Sequence, residues 1–156
     1  MAACDLGLKK GCFKYDDLCY PETGYMPYKK YFGEGVQSGD RWIEFNNTQS
    51  ITYALVVLKN VNTGVKVRSQ FIRKGEELTI RNIPRGYYEL KVFHGNAWAY
   101  DILMDDGVTK GGFTKDIKFE KDRYDLDRYE SWKSTLYKVS GGNAKTEDID
   151  FNEFMR

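Results

Sequence analysis

The chain has 156 residues, and its 24 basic side chains balance 23 acidic ones to leave a formal net charge of +1. This length is enough to bury a core as one domain without metals or several disulfides, and the charge balance argues against nucleic-acid binding. The longest apolar run, residues 54–58, is far shorter than the roughly 20 residues of a membrane-spanning helix. Composition therefore excludes a transmembrane protein, a disordered tail and a coiled coil.

Residues 1–38 are predicted to form an irregular N-terminal arm. Pro21, Pro27 and several glycines interrupt any regular spacing of apolar residues there. Tyrosine nevertheless recurs between Tyr20 and Phe32, which makes this stretch too aromatic for a solvated linker. We therefore expect the arm to dock on the domain that follows or on a neighbouring molecule.

All three cysteines of the chain, Cys4, Cys12 and Cys19, lie within this arm. Their spacing does not match the short C-x2-C pairs of structural zinc sites. Two alanines before Cys4 resemble the end of a bacterial lipoprotein signal, although the hydrophobic segment that should precede it is absent. In that interpretation Cys4 carries a lipid anchor and Cys12 pairs with Cys19. The alternative is a cytosolic protein that starts at Met1 and keeps three reduced thiols.

Residues 39–156 are predicted to form one β domain. Short segments that are apolar or alternate in polarity recur at regular spacing, with glycine-bearing turns between them: 41–46, 51–59, 65–74, 78–80, 87–94, 98–103, 113–120 and 132–139. This pattern predicts an all-β fold, a single antiparallel β-sandwich of about seven or eight strands. Near the end of the chain, Asp150 and Glu153 have the spacing of a capping box, which predicts one helical turn.

Alternation within two of these segments assigns side chains to faces. In residues 65–74, Val67 and Phe71 are predicted to share one face. In residues 87–94, the apolar residues at alternate positions face the core and Lys91 faces solvent. Aromatic residues make up 15% of the chain, which suits half-buried, pleated surfaces of this kind.

Residues 76–92 resemble the strand, corner and strand of prealbumin-like β-sandwich modules. The corner has the pattern L/I-P-x-G-x-Y, formed here by Ile83, Pro84, Gly86 and Tyr88. Proline and glycine make the tight turn, and the tyrosine returns the chain to the core face. The resemblance implies the Greek-key sandwich of the Cna-B-type and carboxypeptidase regulatory-like domains of bacterial surface proteins.

A wider resemblance is to a family of uncharacterised bacterial proteins, and it spans roughly residues 20–155. The shared segments are Pro-Tyr-x-x-Tyr-Phe-Gly at 27–33, Ile-Arg-x-Gly at 72–75, Gly-Asn-x-Trp at 95–98, Gly-Gly-Phe-Thr at 111–114 and Leu-Tyr-Lys-Val-Ser-x-Gly-Asn at 136–143. Members tend to carry export signals, and the family brings no known activity. The resemblance therefore implies a protein of the cell envelope or the extracellular space, with the cytoplasm or a virion as the alternative.

The sequence offers few residues for catalysis. His94 is the single histidine, and Asp101 is the carboxylate near it in sequence that could act with it. No nucleophile elbow, zinc-binding helix or phosphate-binding loop motif is present. The acidic run from Asp122 to Glu130 lacks the glycine and the spacing of a calcium loop. We therefore predict no catalytic residue, no cofactor and no metal site, and we expect that the protein is not an enzyme.

Three aromatic residues are candidates for ligand contact. Trp98 and Tyr100 alternate on one face of a predicted strand, and with Trp42 they could form an exposed platform on which a sugar stacks. The alternative is that these rings fill the core or rim of the sandwich, as aromatic side chains in such folds do.

We predict a non-catalytic module of the cell surface or of a larger assembly that works through protein–protein contact, including self-assembly. Its contact surface is expected to consist of exposed strand edges and aromatic residues of the arm: Tyr25, Tyr28, Tyr31 and Phe32. One alternative is a carbohydrate-binding module that holds a polysaccharide on Trp98, Tyr100 and Trp42. Another is a structural subunit of a phage virion or of a secretion apparatus.

Overall fold

The computed structural model describes residues 20–137 and 146–156. Cys4, Cys12 and Cys19 lie outside the described residues, so the lipid anchor and the disulfide stay predictions. The last part of the predicted strand 132–139 also lies outside them. Statements about the fold below concern the two described ranges.

Eight strands and two short helices make up the described chain. In order they are α1 (Lys29–Phe32), β1 (Arg41–Asn46), β2 (Tyr53–Asn60), β3 (Lys66–Ile72), β4 (Glu77–Ile83), β5 (Tyr87–Leu103), β6 (Lys110–Asp125), β7 (Ser131–Thr135), β8 (Glu147–Asp148) and α2 (Phe151–Met155). The two strands predicted at 87–94 and 98–103 are one long strand, β5, and its partner β6 is nearly as long. The gap between the two predicted strands, residues 95–97, coincides with a register shift in this hairpin.

The strands form two sheets that pack against each other. One sheet has three strands in the order β4-β1-β7, and the other has five in the order β3-β2-β5-β6-β8. The predicted all-β sandwich is therefore confirmed. One pairing departs from the antiparallel expectation, because β7 runs parallel to β1. The chain leaves β6 in the larger sheet and enters β7 in the smaller one, so β7 is not the second strand of a hairpin.

The space between the sheets holds the inner core, which is mostly aliphatic. Tyr88, Leu90 and Val92 of β5 all point into it, as the alternation predicted. Ile43 and Phe45 reach it from β1 in the other sheet. Since successive side chains of a strand face opposite sides, the residues between these point away from the inner core.

A β-bulge in β3 changes which side chains share a face. The pairing of β2 with β3 skips a residue at Val67, so Val67 packs in the inner core while Phe71 packs on the opposite side of the sheet. The prediction that the two share a face is wrong for this reason. Arg68, which pairs with the inner-core residue Leu58, also faces inwards, and its guanidinium donates to the carbonyls of Arg81 (2.7 Å) and Asn82 (3.2 Å) in the other sheet.

A second core covers the outer face of the five-stranded sheet and is strongly aromatic. Its buried members come from the sheet, from the N-terminal arm and from α2: Tyr20, Tyr28, Tyr53, Leu55, Val57, Phe71, Phe93, Trp98, Phe113, Phe151 and Phe154. We call this set the outer aromatic core. It makes the five-stranded sheet the middle of three layers, buried on both faces.

The arm also protects the edge of the five-stranded sheet. The backbone N–H of Gly24 donates to the carbonyl of Phe71 (2.7 Å), and the N–H of Phe71 donates to the carbonyl of Tyr25 (2.8 Å). Further along, the N–H of Val36 donates to the carbonyl of Val67 (3.0 Å). Edge strands with free backbone groups invite pairing with other chains, and the arm occupies several of these groups on β3.

Three tyrosine hydroxyls of the arm hold the far half of the β5–β6 hairpin by its backbone. Tyr20 accepts from the N–H of Ala97, Tyr28 donates to the carbonyl of Gly111, and Tyr31 accepts from the N–H of Lys110 (2.8 Å). The aromatic arm is thus docked on its own domain through both rings and hydroxyls.

The helical turn α2 completes the outer layer. Asp150 accepts a hydrogen bond from the backbone N–H of Glu153 (2.8 Å), as the capping-box spacing predicted. Phe151 and Phe154 are buried beneath the turn, and Lys91 lies fully buried with its Nζ donating to the carbonyl of Glu153 (2.6 Å). The expectation that Lys91 faces solvent is wrong, because α2 covers this face of the sheet.

Candidate functional site

A half-open cleft of about 590 Å³ lies beside the inner core. Strands β5 and β6 form one wall, the loop between β1 and β2 forms a second, and residues just after β7 close a third side. His94 and Glu120 lie at its base and are both buried. This volume lies within the roughly 300–1,000 Å³ that is typical of small-ligand sites.

The register of the β5–β6 hairpin brings the residues at the base together. His94 pairs with Lys118, and Val92 pairs with Glu120, so all four side chains lie on the inner face of the sheet. His94 and Glu120 are diagonal neighbours on that face, a separation that long side chains bridge. Beyond them the hairpin bends at a register shift, and Asp116 adopts a left-handed φ of 53°.

His94 and Glu120 form a buried hydrogen-bonded pair. The Nε2 of His94 lies 2.9 Å from Oε1 of Glu120, and the Nζ of Lys118 lies 3.2 Å from Oε2. Burial raises the pKa of Glu120, but the hydrogen bond and charge of His94, with those of Lys118, lower it overall to about 2. The carboxylate therefore stays ionised and only accepts, so Nε2 of His94 must carry the proton between them.

Protonating Glu120 should weaken the fold in acid. Its folded pKa of about 2 lies below the ordinary value of 4.5, so its contribution is complete above about pH 4.5 and is lost as the pH falls toward 2. We expect urea unfolding of Glu120→Gln to show a shallower loss of stability across this window than the wild type shows. Glu44→Gln, an exposed carboxylate of β1, is the matched control. Parallel curves for Glu120→Gln and the wild type would contradict the assignment.

The loop opposite the pair is held in place by a buried asparagine. The Nδ2 of Asn47 lies 3.1 Å from the carbonyl of Thr52, and it also approaches the carbonyls of Ile72 and Arg73 at the end of β3. Within the loop, the hydroxyls of Ser50 and Thr52 lie 3.3 Å apart. These contacts fix the loop as a wall of the cleft.

Asn96 joins the two walls at the rim. Its Nδ2 donates to the carboxylate of Asp116 (2.9 Å) and to the carbonyl of Ile51 (3.2 Å). Ile51 itself is 84% exposed, which is unusual for an aliphatic side chain whose backbone is tied down. The rim therefore combines an anchored carboxylate with an exposed apolar side chain.

Sequence reasoning missed Glu120 and Lys118 and considered only Asp101 as a partner for His94. Asp101 is an exposed residue of β5, seven positions further along the strand and beyond the bend. The signal that could have identified Glu120 is the hairpin register. The pairing of β5 with β6 contains two register shifts, and the residues that face each other depend on where these shifts fall. The position of the turn alone is therefore not enough to identify the partner of His94.

Trp98 does not form an exposed platform. It is 1% exposed and belongs to the outer aromatic core, with its ring close to those of Phe71 and Phe113 (centroid distances 5.5 and 4.9 Å). For Trp98 the hypothesis of an exposed platform is wrong and the alternative of core packing is confirmed, because the arm covers this part of β5. Among the described residues, none bonds to its indole Nε1.

The other two platform candidates do not join Trp98 at one surface. Tyr100 is half-buried beside Trp98, at a ring-centroid distance of 6.3 Å. Trp42 is half-buried on β1, where its neighbour Ile43 faces the inner core, so Trp42 points to the outer side of the three-stranded sheet. Trp42 and Trp98 thus lie on opposite sides of the sandwich.

The four arm residues predicted to contact a partner differ in exposure. Tyr28 is fully buried against the hairpin, so in the docked arm it is a core residue. Tyr25, Tyr31 and Phe32 are half-buried and each leaves part of its ring accessible. The docked arm therefore offers a small aromatic surface, smaller than the sequence suggested.

In the acidic run from Asp122 to Glu130, Asp125 forms hydrogen bonds to the backbone of the turn after β6. The carboxylate of Asp125 accepts from the N–H groups of Asp127 (3.0 Å) and Arg128 (2.8 Å) and so caps that turn. Within residues 20–137 and 146–156, no cluster of three histidine, cysteine or acidic residues has the arrangement to hold a metal ion. The same ranges contain no helix of the length and apolarity needed to cross a membrane.

The motif at residues 76–92 provides the corner between β4 and β5 in the structure, with Tyr88 in the inner core. Its resemblance to prealbumin-like modules stays a prediction that rests on those residues. No protein-family model matches the chain, and comparison with curated proteins and with solved structures finds no similar chain.

Proposed function

We propose that the protein is a non-catalytic β-sandwich module of the cell envelope or of an extracellular assembly, and that it contacts another protein. The observation that carries the proposal is the tip of the β5–β6 hairpin, residues 103–110, which we call the hairpin tip. Leu103 and Val108 are 59% and 70% exposed there, although both are aliphatic. Exposed apolar side chains that lie together are typical of contact surfaces.

The hairpin tip is preorganised by its own hydrogen bonds. The carboxylate of Asp106 accepts from the N–H groups of Val108 (3.0 Å) and Thr109 (2.8 Å), and from the hydroxyl of Thr109 (2.6 Å). The N–H of Met104 donates to the carbonyl of Thr109 (2.8 Å) and closes the loop. A loop already held in one conformation loses little entropy when a partner binds it.

The arm gives the hairpin tip a rigid base. Tyr31 bonds to the backbone of Lys110, the last residue of the hairpin tip, and Tyr28 bonds to that of Gly111, the residue after it. The exposed Asp105 and Lys110 supply charges around the two aliphatic side chains. An apolar centre with a polar rim is the usual anatomy of a protein interface.

Site-specific photo-crosslinking tests the proposal. A photoreactive phenylalanine derivative at position 108 is expected to yield one dominant adduct in the cells that make the protein, because that side chain contacts the partner. The matched control is the same residue at position 61, an exposed valine in the turn between β2 and β3. The proposal fails when position 108 yields no adduct, or when both positions yield the same set.

The identity of the adduct also separates the alternatives within this function. A second copy of the chain would indicate self-assembly, as expected of a virion or secretion-apparatus subunit. A different protein would indicate an adhesion, scaffold or accessory role. Both are protein–protein contacts through the hairpin tip.

A further inference from the structure

The cleft at His94 lies apart from the hairpin tip and has its own chemistry. We propose that it binds a neutral polyhydroxylated ligand, one or two sugar units of a glycan. This inference rests on the cleft alone and not on the proposed contact through the hairpin tip. It also replaces the predicted tryptophan platform, whose central residue Trp98 is buried.

The charges at the base of the cleft are paired with one another, because Lys118 and His94 occupy the two oxygens of Glu120. At the rim Asp116 carries a negative charge, and the neutral amide of Asn96 holds its carboxylate in place. A ligand with a full positive or negative charge would have to break these pairs or bring its charge close to one of like sign. A neutral ligand meets no such penalty, so the balance of charge favours it.

The same groups suit hydroxyls well. Each hydroxyl of a sugar both donates and accepts, and the cleft offers ionised acceptors on Glu120 and Asp116 beside an ammonium donor on Lys118. Hydrogen bonds to charged groups are stronger than those between neutral groups. The hydroxyls of Ser50 and Thr52 on the opposite wall extend the set across the cleft.

Apolar contact is available in the same cleft. Ile51 at the rim is 84% exposed, and the half-buried Tyr137 lines the same cleft. Sugar rings have polar edges and a less polar face, and an aromatic or aliphatic side chain covers that face. The volume of about 590 Å³ gives room for one or two sugar rings.

The backbone at the rim fixes one polar group of the cleft. Asp116 has a left-handed φ of 53°, a region that aspartate enters more readily than most residues with a side chain, and the hydrogen bond from Asn96 holds its carboxylate there. The carboxylate is therefore already positioned to accept from a ligand hydroxyl.

Because His94 is the single histidine of the chain, its ring reports on the cleft without ambiguity. Three probes have matched shape and different charge: glucose is neutral, glucuronate is negative and glucosamine is positive. Galactose, mannose and N-acetylglucosamine are further neutral sugars. We expect at least one neutral sugar to shift the NMR signals of the His94 ring in a saturable way. Glucuronate and glucosamine are expected to bind more weakly than glucose.

Variants assign the binding to this cleft. Glu120→Gln and Lys118→Met are expected to weaken the affinity for the neutral sugar about tenfold or more, because each removes a charged hydrogen-bonding group. Glu44→Gln and Lys133→Met, at exposed positions outside the cleft, should leave it unchanged. Lys118 is about half exposed, so its variant keeps the test valid if Glu120→Gln fails to fold.

Two results would overturn the inference. One is the absence of any saturable shift of the His94 signals up to the solubility of every neutral sugar. The other is tighter binding of glucuronate or glucosamine than of glucose, which would assign the cleft to a charged ligand. Neither result bears on the crosslinking experiment at the hairpin tip, so the two proposals fail separately.

Discussion

Trp98→Ala is expected to lower the free energy of unfolding by about 3–5 kcal/mol, the usual cost of truncating a buried tryptophan. Its ring packs within 6.0 Å of the centroids of Tyr28, Phe71 and Phe113, so the substitution removes the centre of the outer aromatic core. Urea denaturation followed by far-ultraviolet circular dichroism measures this loss.

The matched control is Tyr87→Ala, which truncates an aromatic side chain that is about half exposed on the same strand. We expect it to cost less than about 1 kcal/mol, because little contact area is lost. Should Trp98→Ala prove as stable as the control, the arm would not cover Trp98 in solution, and the exposed platform would return as an explanation.

Tyr28→Ala is expected to detach the arm and to cost about 3–5 kcal/mol, since the side chain is fully buried against the hairpin. Tyr28→Phe keeps the ring but removes the hydroxyl, and it leaves the carbonyl of Gly111 without its donor, at a cost of about 1–3 kcal/mol. Limited proteolysis should then cut Tyr28→Ala between residues 20 and 38 much faster than the wild type.

Tyr25→Phe controls for the loss of a tyrosine hydroxyl elsewhere in the arm, because Tyr25 is half-buried and joins β3 through its backbone. It should leave both stability and proteolysis close to wild type. Equal cleavage of wild type and Tyr28→Ala would mean that the arm is not docked as the structure describes.

Local patterns were sufficient to predict most of the strands and much of the inner core. The alternation of Tyr88, Leu90 and Val92 has a period of two that only one face of a strand satisfies, and the structure confirms their position. The helical turn after Asp150 was likewise encoded within four residues. Such features depend on neighbours in sequence, so a single sequence shows them.

Features that depend on distant segments were predicted wrongly or left open between alternatives. Lys91 alternates like a solvent-facing residue, and its burial depends on α2, about sixty positions later in the chain. Trp98 is buried by an arm that precedes it by about seventy positions. The bulge at Val67 moves this side chain to the opposite face of the sheet, because one residue is skipped in the pairing. No residue type in that segment indicates the bulge.

The candidate site was only partly visible in the sequence. His94 stood out as the single histidine, but its partner Glu120 is 26 residues away and is brought near by the hairpin register. Asp101, the carboxylate considered as its partner from the sequence, lies beyond the bend of β5. Pairing across a long hairpin with two register shifts is a three-dimensional property, so the sequence pattern alone could not specify the cleft.

The outer aromatic core has a consequence for how the chain folds. Phe32 of the arm meets Phe154 of α2 at a ring-centroid distance of 6.4 Å, so this layer joins segments from the two extremes of the described chain. Contacts of such long sequence separation form slowly, because a large loop must close first. During synthesis, the part of this aromatic face that α2 covers, around Phe93 and Phe119, stays uncovered until residue 154 has emerged. Chaperone binding, or aggregation where chaperones are scarce, is therefore expected to compete with this last step.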